Sequence, residues 1–265
     1  MRILLSVAGI ALLALQGCSS ISVETLPTSG RYMIVTRFGD GLVFEKIGTT
    51  LFNNDYQVFE DDTDVAKTFQ DGIVAILKKD SAWTYVPTDL KLANPKFDPN
   101  FDTYTSSIQG DWKQAAADMD RIKKSAADNR VDIVIYVTES VSGDAMGTNQ
   151  SMVGRGVFKR SFLGLRDINL AYFVYHMTMY DARTWKTLDH YATVQDRFND
   201  FTWPDKDGPI PADLQQKAKQ ALLKMEPPQD IGFALCYFGL TRYTHDPINQ
   251  TRIGTCSAQY GRPQY

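Results

Sequence analysis

Hydrophobic and polar positions recur along this chain with two periods, two and about 3.6, and the switches between them predict most of its elements. Arg31 to Phe38 (RYMIVTRF) is short, rich in β-branched and aromatic residues, and reads as a strand. Gly39, Asp40 and Gly41 then predict a turn into Leu42 to Ile47, the second strand of a hairpin. Thr49 to Glu60 fits either period, with Asn53-Asn54-Asp55 marking a turn inside it. From Asp61 to Lys79 the period is helical: Val65, Phe69, Ile73, Ile76 and Leu77 form the stripe. Asp61 or Asp62 stands at the cap, Asp64 in the first turn and Lys78-Lys79 in the last, as the helix dipole favours. Ala82 to Pro87 is a strand pattern, and Thr88 to Gly110, with Pro95 and Pro99, reads mostly as loop.

Asp111 caps a second helix that runs to about Asn129, with Trp112, Ala115, Ala116, Met119, Ile122 and Ala126 on one face. Val131 to Thr138 (VDIVIYVT) follows, and its near-continuous apolar run suits a central strand covered on both faces. Glu139 to Gln150 is a polar loop; Ser151 to Arg160 is a strand interrupted by Gly154 and Gly156. Leu170 to Tyr180 is a long strand, and Asp181 to Trp185 turns it into Lys186 to Gln195 as an antiparallel partner. After a loop over 196 to 210 comes a third helix, Pro211 to Met225, with Leu214, Ala218, Ala221, Leu222 and Met225 inward, stopped by Pro227-Pro228. Ile231 to Phe238 predicts a short last helix.

These elements add up to an α/β, more narrowly α+β, fold: a mixed, partly antiparallel sheet of about six or seven strands with three to four helices packed on it. No repeat, low-complexity tract or linker divides residues 31 to 265, which predicts a single domain. The element order resembles the small α/β domains of periplasmic assembly lipoproteins such as the curli secretion family. That resemblance implies a layered fold and no particular activity.

The first residues carry a different message. Arg2 precedes a thirteen-residue apolar run, Ile3 to Leu15, too short to span ~30 Å of hydrocarbon, which takes about 20 residues. Leu15-Gln16-Gly17-Cys18 resembles the lipobox that closes bacterial lipoprotein signal peptides. The resemblance implies cleavage after residue 17, acylation of Cys18, a tether from 18 to 30, and anchoring of the domain in the membrane by lipid. Ser19 after the cysteine, rather than an aspartate, implies the periplasmic face of the outer membrane. Two or three acyl chains would make the anchor permanent, since each buried CH₂ contributes ~0.8 kcal/mol. An ordinary secretory signal shares the charged start and apolar run, and the mass of the mature amino terminus separates the two.

Charge then narrows the partners. With 28 Lys+Arg and 31 Asp+Glu, the net charge is −3. Loss of residues 1 to 17 removes one positive charge. No basic run exceeds two residues, so neither nucleic acid nor a charged membrane surface is an expected ligand. Of the three cysteines, Cys236 and Cys256 remain once Cys18 is lipidated, and an oxidising compartment predicts a disulfide between them, pinning the C-terminal tail.

Catalytic motifs are missing: there is no G-x-S-x-G elbow, and Gly154-Arg155-Gly156 lacks the remaining parts of a phosphate loop. His176 and His190 lie directly across from each other if Tyr180 pairs with Lys186. They read as a hydrogen-bonded pair, and neither metal nor cofactor is expected. Glu139, Asp144, Asp196, Asp200 and Asp205 follow strands, where they read as solvated loop charges or as raw material for a two-carboxylate glycan hydrolase. Phe158 and Phe162 punctuate a basic stretch, and Phe198, Phe201 and Trp203 a polar one. Such aromatics either pin their loops to the core or form a contact surface for an envelope protein or a glycan. The expected function is a lipid-anchored, non-enzymatic binding or scaffolding module of the cell envelope; the alternative is a lipoprotein hydrolase acting on cell-wall or surface glycan.

Overall fold

A computed structural model describes residues 29–48, 54–80, 82–110, 112–142, 151–162, 166–194 and 209–224. The elements, in chain order, are β1 (Ser29–Arg37), β2 (Gly41–Ile47), β3 (Asp55–Glu60), α1 (Val65–Asp80), β4 (Ala82–Tyr85), α2 (Phe101–Gln109) and α3 (Trp112–Asp128), then β5 (Ile133–Glu139), β6 (Arg155–Phe162), β7 (Arg166–Asp181), β8 (Thr187–Val194) and α4 (Ala212–Lys224). Together they form a mixed sheet with helices packed on it, an α+β architecture.

β7 is the spine. Its first half pairs antiparallel with β6, from Phe162↔Arg166 to Arg155↔Phe173, and its second half antiparallel with β5, from Glu139↔Tyr175 to Ile133↔Asp181. At the changeover the Val174 N–H donates to Gly154 O (2.7 Å) and the Val174 carbonyl accepts from Ser140 N (3.0 Å). β5 and β6 therefore lie end to end along one edge of β7, and β8 takes the other edge.

β1 runs parallel to β5, and β2 parallel to β6. Both thus run in the same direction and follow one another as an interrupted strand, so the hairpin expected from Gly39, Asp40 and Gly41 does not form. Backbone bonding explains the difference. Asp40 N donates to Pro95 O (3.1 Å), and Asp40 O accepts from Asp61 N (2.8 Å), so this segment is satisfied by other parts of the chain instead of closing on itself. The antiparallel partner of β2 is β3, with Gly41 opposite Glu60 and Lys46 opposite Asp55.

Alternation along the strands sends successive residues to opposite layers. Tyr32, Ile34, Ile133, Ile135, Met177 and Met179 face α1, whose Val65, Phe69, Ile73 and Leu77 supply the expected stripe. Phe69 meets Phe173 (5.7 Å) and Tyr175 (4.8 Å) edge to face. Met33, Val35 and Val134 face Ile122 and Ala126 of α3. On the second half of the sheet, Leu42, Phe44, Val157 and Ala171 receive Leu214, Ala218 and Leu222 of α4.

Two local expectations are corrected and one is refined. Asp64, not Asp61 or Asp62, opens α1, accepting from Lys67 N at 3.0 Å. The stretch 88–110 is mostly loop, as expected, but it also holds α2, which Asn100 caps by accepting from Thr103 N (3.0 Å) and which buries Tyr104 and Ile108. In α3, Ala115 and Ala116 are exposed, and Asp118 is the buried residue of that turn. Cys18, Cys236 and Cys256 lie outside the described residues, as do the expected tether up to residue 28 and the final helix. No described helix is long and apolar enough to cross a membrane.

Candidate functional site

Where β1 passes into β2 and β5 gives way to β6, the sheet carries a buried ionic knot. Arg155 opens β6, and its Nε and Nη2 reach Asp61 Oδ2 at 3.0 and 2.9 Å. Its Nη1 bonds Glu139 Oε1, and Nη2 also donates to Gly39 O (2.9 Å). Glu139 Oε2 accepts from Gly39 N (2.8 Å), and Thr63 Oγ1 donates to Asp61. Burial raises the Glu139 carboxyl, and the Arg155 charge with the Gly39 N–H counters part of that rise. Burial alone would lower Arg155, but Glu139 and Asp61 beside it raise it, so it stays a cation. Every charge in the knot is partnered, which makes it a bolt between the two halves of the sheet.

Adjoining the knot, with Glu139 common to both, lies a cavity of about 380 Å³, near the small end of the ~300–1,000 Å³ usual for small-molecule sites. It opens at the carboxyl ends of the parallel strands β1 and β5, the position at which open α/β sheets bind ligands. The register builds its floor: Arg37 of β1 is opposite Thr138 of β5, and Thr138 is opposite His176 of β7. One row of guanidinium, hydroxyl and imidazole residues therefore crosses three strands spaced ~4.8 Å apart. Tyr136 stands one step back on β5; Gln109, Gly110 and Ala115 line the α2–α3 side, and Ser140 the strand end.

Arg37 is held in place. Its Nη1 and Nη2 donate to Ile108 O (3.3 Å) and Ser107 O (3.1 Å), satisfying carbonyls that the end of α2 leaves without helical partners. Its Nε is 3.9 Å from Asp118 Oδ2. Asp118 is fully buried, accepts from Gln114 Nε2 (3.0 Å), and lies 3.8 Å from Arg121 Nη1. Burial, opposed by Arg37 and reinforced by Asp118, pushes the Tyr136 phenol up to about 12, so it remains a neutral hydrogen-bonding group.

The sequence-derived candidates fall differently. Phe158 is fully buried among Ile47, Met152, Leu170, Tyr172 and Val174, so it belongs to the core and to no contact surface. Phe162 ends β6 opposite Arg166, while Phe198, Phe201 and Trp203 lie outside the described residues, as do Asp144, Asp196, Asp200 and Asp205. Glu139 is no solvated loop charge, because it closes β5 and pairs with Arg155. The histidines are not directly opposed either. An irregularity between Met179 and Tyr180 sets Tyr180 opposite Thr187, Thr178 opposite His190, and His176 opposite Ala192. The two positions are diagonal on one face, about 7–8 Å apart at the backbone.

Arg37, Asp118, Tyr136 and Thr138 were not legible as site residues. The available signal was a charge at each end of an otherwise apolar strand, RYMIVTR, and one acidic residue interrupting the inner face of a helix.

The fold and cavity define an α+β domain with a small polar cleft at the ends of its parallel strands. No family model matches the chain, and no curated protein matches its sequence. Among solved structures it is similar to the crystal structure of protein XCC0632 from Xanthomonas campestris, assigned to family DUF330, at 10% identity and a TM-score of 0.36, over 82% of this chain and 90% of that one.

Proposed function

We propose that this chain is a lipid-anchored envelope protein, held through Cys18 at the periplasmic face of the outer membrane, whose domain binds another envelope component without acting on it chemically. The cleft carries the reading. Its lining offers hydrogen-bonding groups from three strands, and Glu139, the one carboxylate residue among its described lining, has both oxygens engaged by Arg155 and Gly39. A glycan hydrolase needs two carboxyl groups facing each other across the cleaved bond, ~5–9.5 Å apart, and the described lining holds no second one. Leu15-Gln16-Gly17-Cys18 supports the anchor.

In-cell photo-crosslinking from Gln109, at the cleft, tests the binding role. The expected result is a discrete adduct with one envelope component, weakened when Thr138→Arg fills the cleft. Equal adducts from Gln109 and from exposed Lys78 on the opposite layer would count against it. Mass spectrometry of the mature amino terminus tests the anchor, and an unmodified Cys18 or cleavage elsewhere would refute it.

A further inference from the structure

We infer that the cleft floored by Arg37, Thr138 and His176 takes a small molecule bearing an oxyanion group, a carboxylate or a phosphate. The inference rests on reading the domain as a binding module and assigns the class of its ligand.

Charge balance around the cleft favours an anion. The carboxylate of the lining is already committed: Glu139 bonds Arg155, which it shares with Asp61. Asp118, behind Arg37, is fully buried and lies 3.9 Å from Arg37 and 3.8 Å from Arg121, so Arg37 is the one cation in the described lining and no carboxylate of that wall reaches the cleft. His176 adds an imidazole at the exposed end of the row.

Geometry matches the charge. Two of Arg37's five N–H groups are spent on the α2 carbonyls, which fixes the plane of the fork and leaves other N–H groups for a ligand. An oxyanion above Thr138 would sit between guanidinium and imidazole, with the Thr138 and Tyr136 hydroxyls as donors, an arrangement of charge-assisted hydrogen bonds. A cation there would meet Arg37 with no available carboxylate. Gly110 keeps the guanidinium accessible from the α2–α3 turn: its backbone has φ +71°, and a Cβ on it would come within 3.2 Å of Arg37 Nη2.

Nuclear magnetic resonance titration of the full chain tests this, following the His176 ring and the Thr138 and Ser140 amides. The probes are inorganic phosphate, acetate and glycerol 3-phosphate, each exchanged against chloride at constant ionic strength. Saturable shifts confined to these residues with any of the three are expected. Saturation by glycerol 3-phosphate alone identifies a phospholipid headgroup as the source, whereas saturation by phosphate or acetate identifies a free oxyanion ligand.

His176 is exposed, so its variants leave the core intact. His176→Lys should retain binding, and His176→Glu should weaken it about ten-fold or more, the factor expected when a charge-assisted contact is lost. Absence of saturation with all three probes, or equal affinity in both variants, overturns the inference. Neither result bears on the Gln109 crosslink, which judges the binding role by itself.

Discussion

The Tyr172 hydroxyl donates a 2.6 Å hydrogen bond to Glu45 Oε1, and both side chains are wholly buried. Val153 N adds a second donor to the same oxygen at 3.2 Å, while Glu45 Oε2 has no hydrogen-bond partner. Glu45 stands opposite Tyr56 of β3 and Phe158 of β6, next to the apolar cluster of Ile47, Leu170 and Tyr172. Burial accordingly pushes the Glu45 carboxyl from 4.5 to about 7, against the two hydrogen bonds that pull it down.

This pair predicts a pH-dependent stability. A carboxyl with a raised folded-state pKa binds its proton more tightly when folded. Its stabilising contribution is full below about 4.5 and is lost as the pH climbs through about 7. The loss amounts to roughly 3 kcal/mol at 1.36 kcal/mol per unit. Glu45→Gln keeps the shape and removes the titration. Urea unfolding should find the variant similar to wild type at pH 4 and more stable by up to about 3 kcal/mol at pH 8. Parallel pH profiles for the two proteins would show that Glu45 is not the titrating group.

Arg155 is predicted to matter with the opposite chemistry. Arg155→Met leaves Asp61 and Glu139 buried beside each other without their cation, which should destabilise by about 3–5 kcal/mol. The deficit should be larger at pH 8 than at pH 4, because acid neutralises the stranded carboxylates. The triple variant Asp61→Asn, Glu139→Gln, Arg155→Met should recover most of the loss. A deficit independent of pH, unfolding by urea being the measure, would mean that the knot holds the sheet by packing alone.

How much of this was legible beforehand differs by layer. The α1 stripe, the central position of β5 and the length of β7 follow from short-range periodicity, and the structure keeps all three. The continuation of β1 into β2 was invisible because it depends on Pro95 and Asp61, far away in sequence, bonding the Asp40 backbone. Helix α2 spans only nine residues, with apolar Phe101, Tyr104 and Ile108, too few to outweigh the prolines before it. The site was hidden for a related reason. Arg37, Thr138 and His176 come from three strands, and only the register of two strand pairings aligns them.

Gly156 marks how closely β2 and β6 approach. A Cβ at this position would stand 1.9 Å from the Val43 carbonyl oxygen and 2.8 Å from the Tyr172 hydroxyl. The first of these is backbone and cannot rotate away, so Gly156→Ala must separate the strands or displace the Glu45–Tyr172 pair. We expect a loss of about 3 kcal/mol, at the upper end for overpacking, read as a lowered Tm. A thermal midpoint equal to wild type would mean that the ladder yields without strain.

The cysteines give the last prediction, one that joins the anchor to the fold. If Cys18 is acylated and Cys236 is bridged to Cys256, the mature protein contains no free thiol. Thiol titration in denaturant should then return none before reduction and two after it, because the thioether at Cys18 survives reductant. Two free thiols without reductant would exclude the bridge, and a third appearing after reduction would exclude the lipid, so one titration separates the claims. Such a bridge would close a loop of about 21 residues, for which the chain-entropy argument gives ~3 kcal/mol. Cys236→Ser with Cys256→Ser should lower stability by about that amount if the bridge forms. If Cys18 carries a lipid anchor, the same double variant should leave membrane association unchanged.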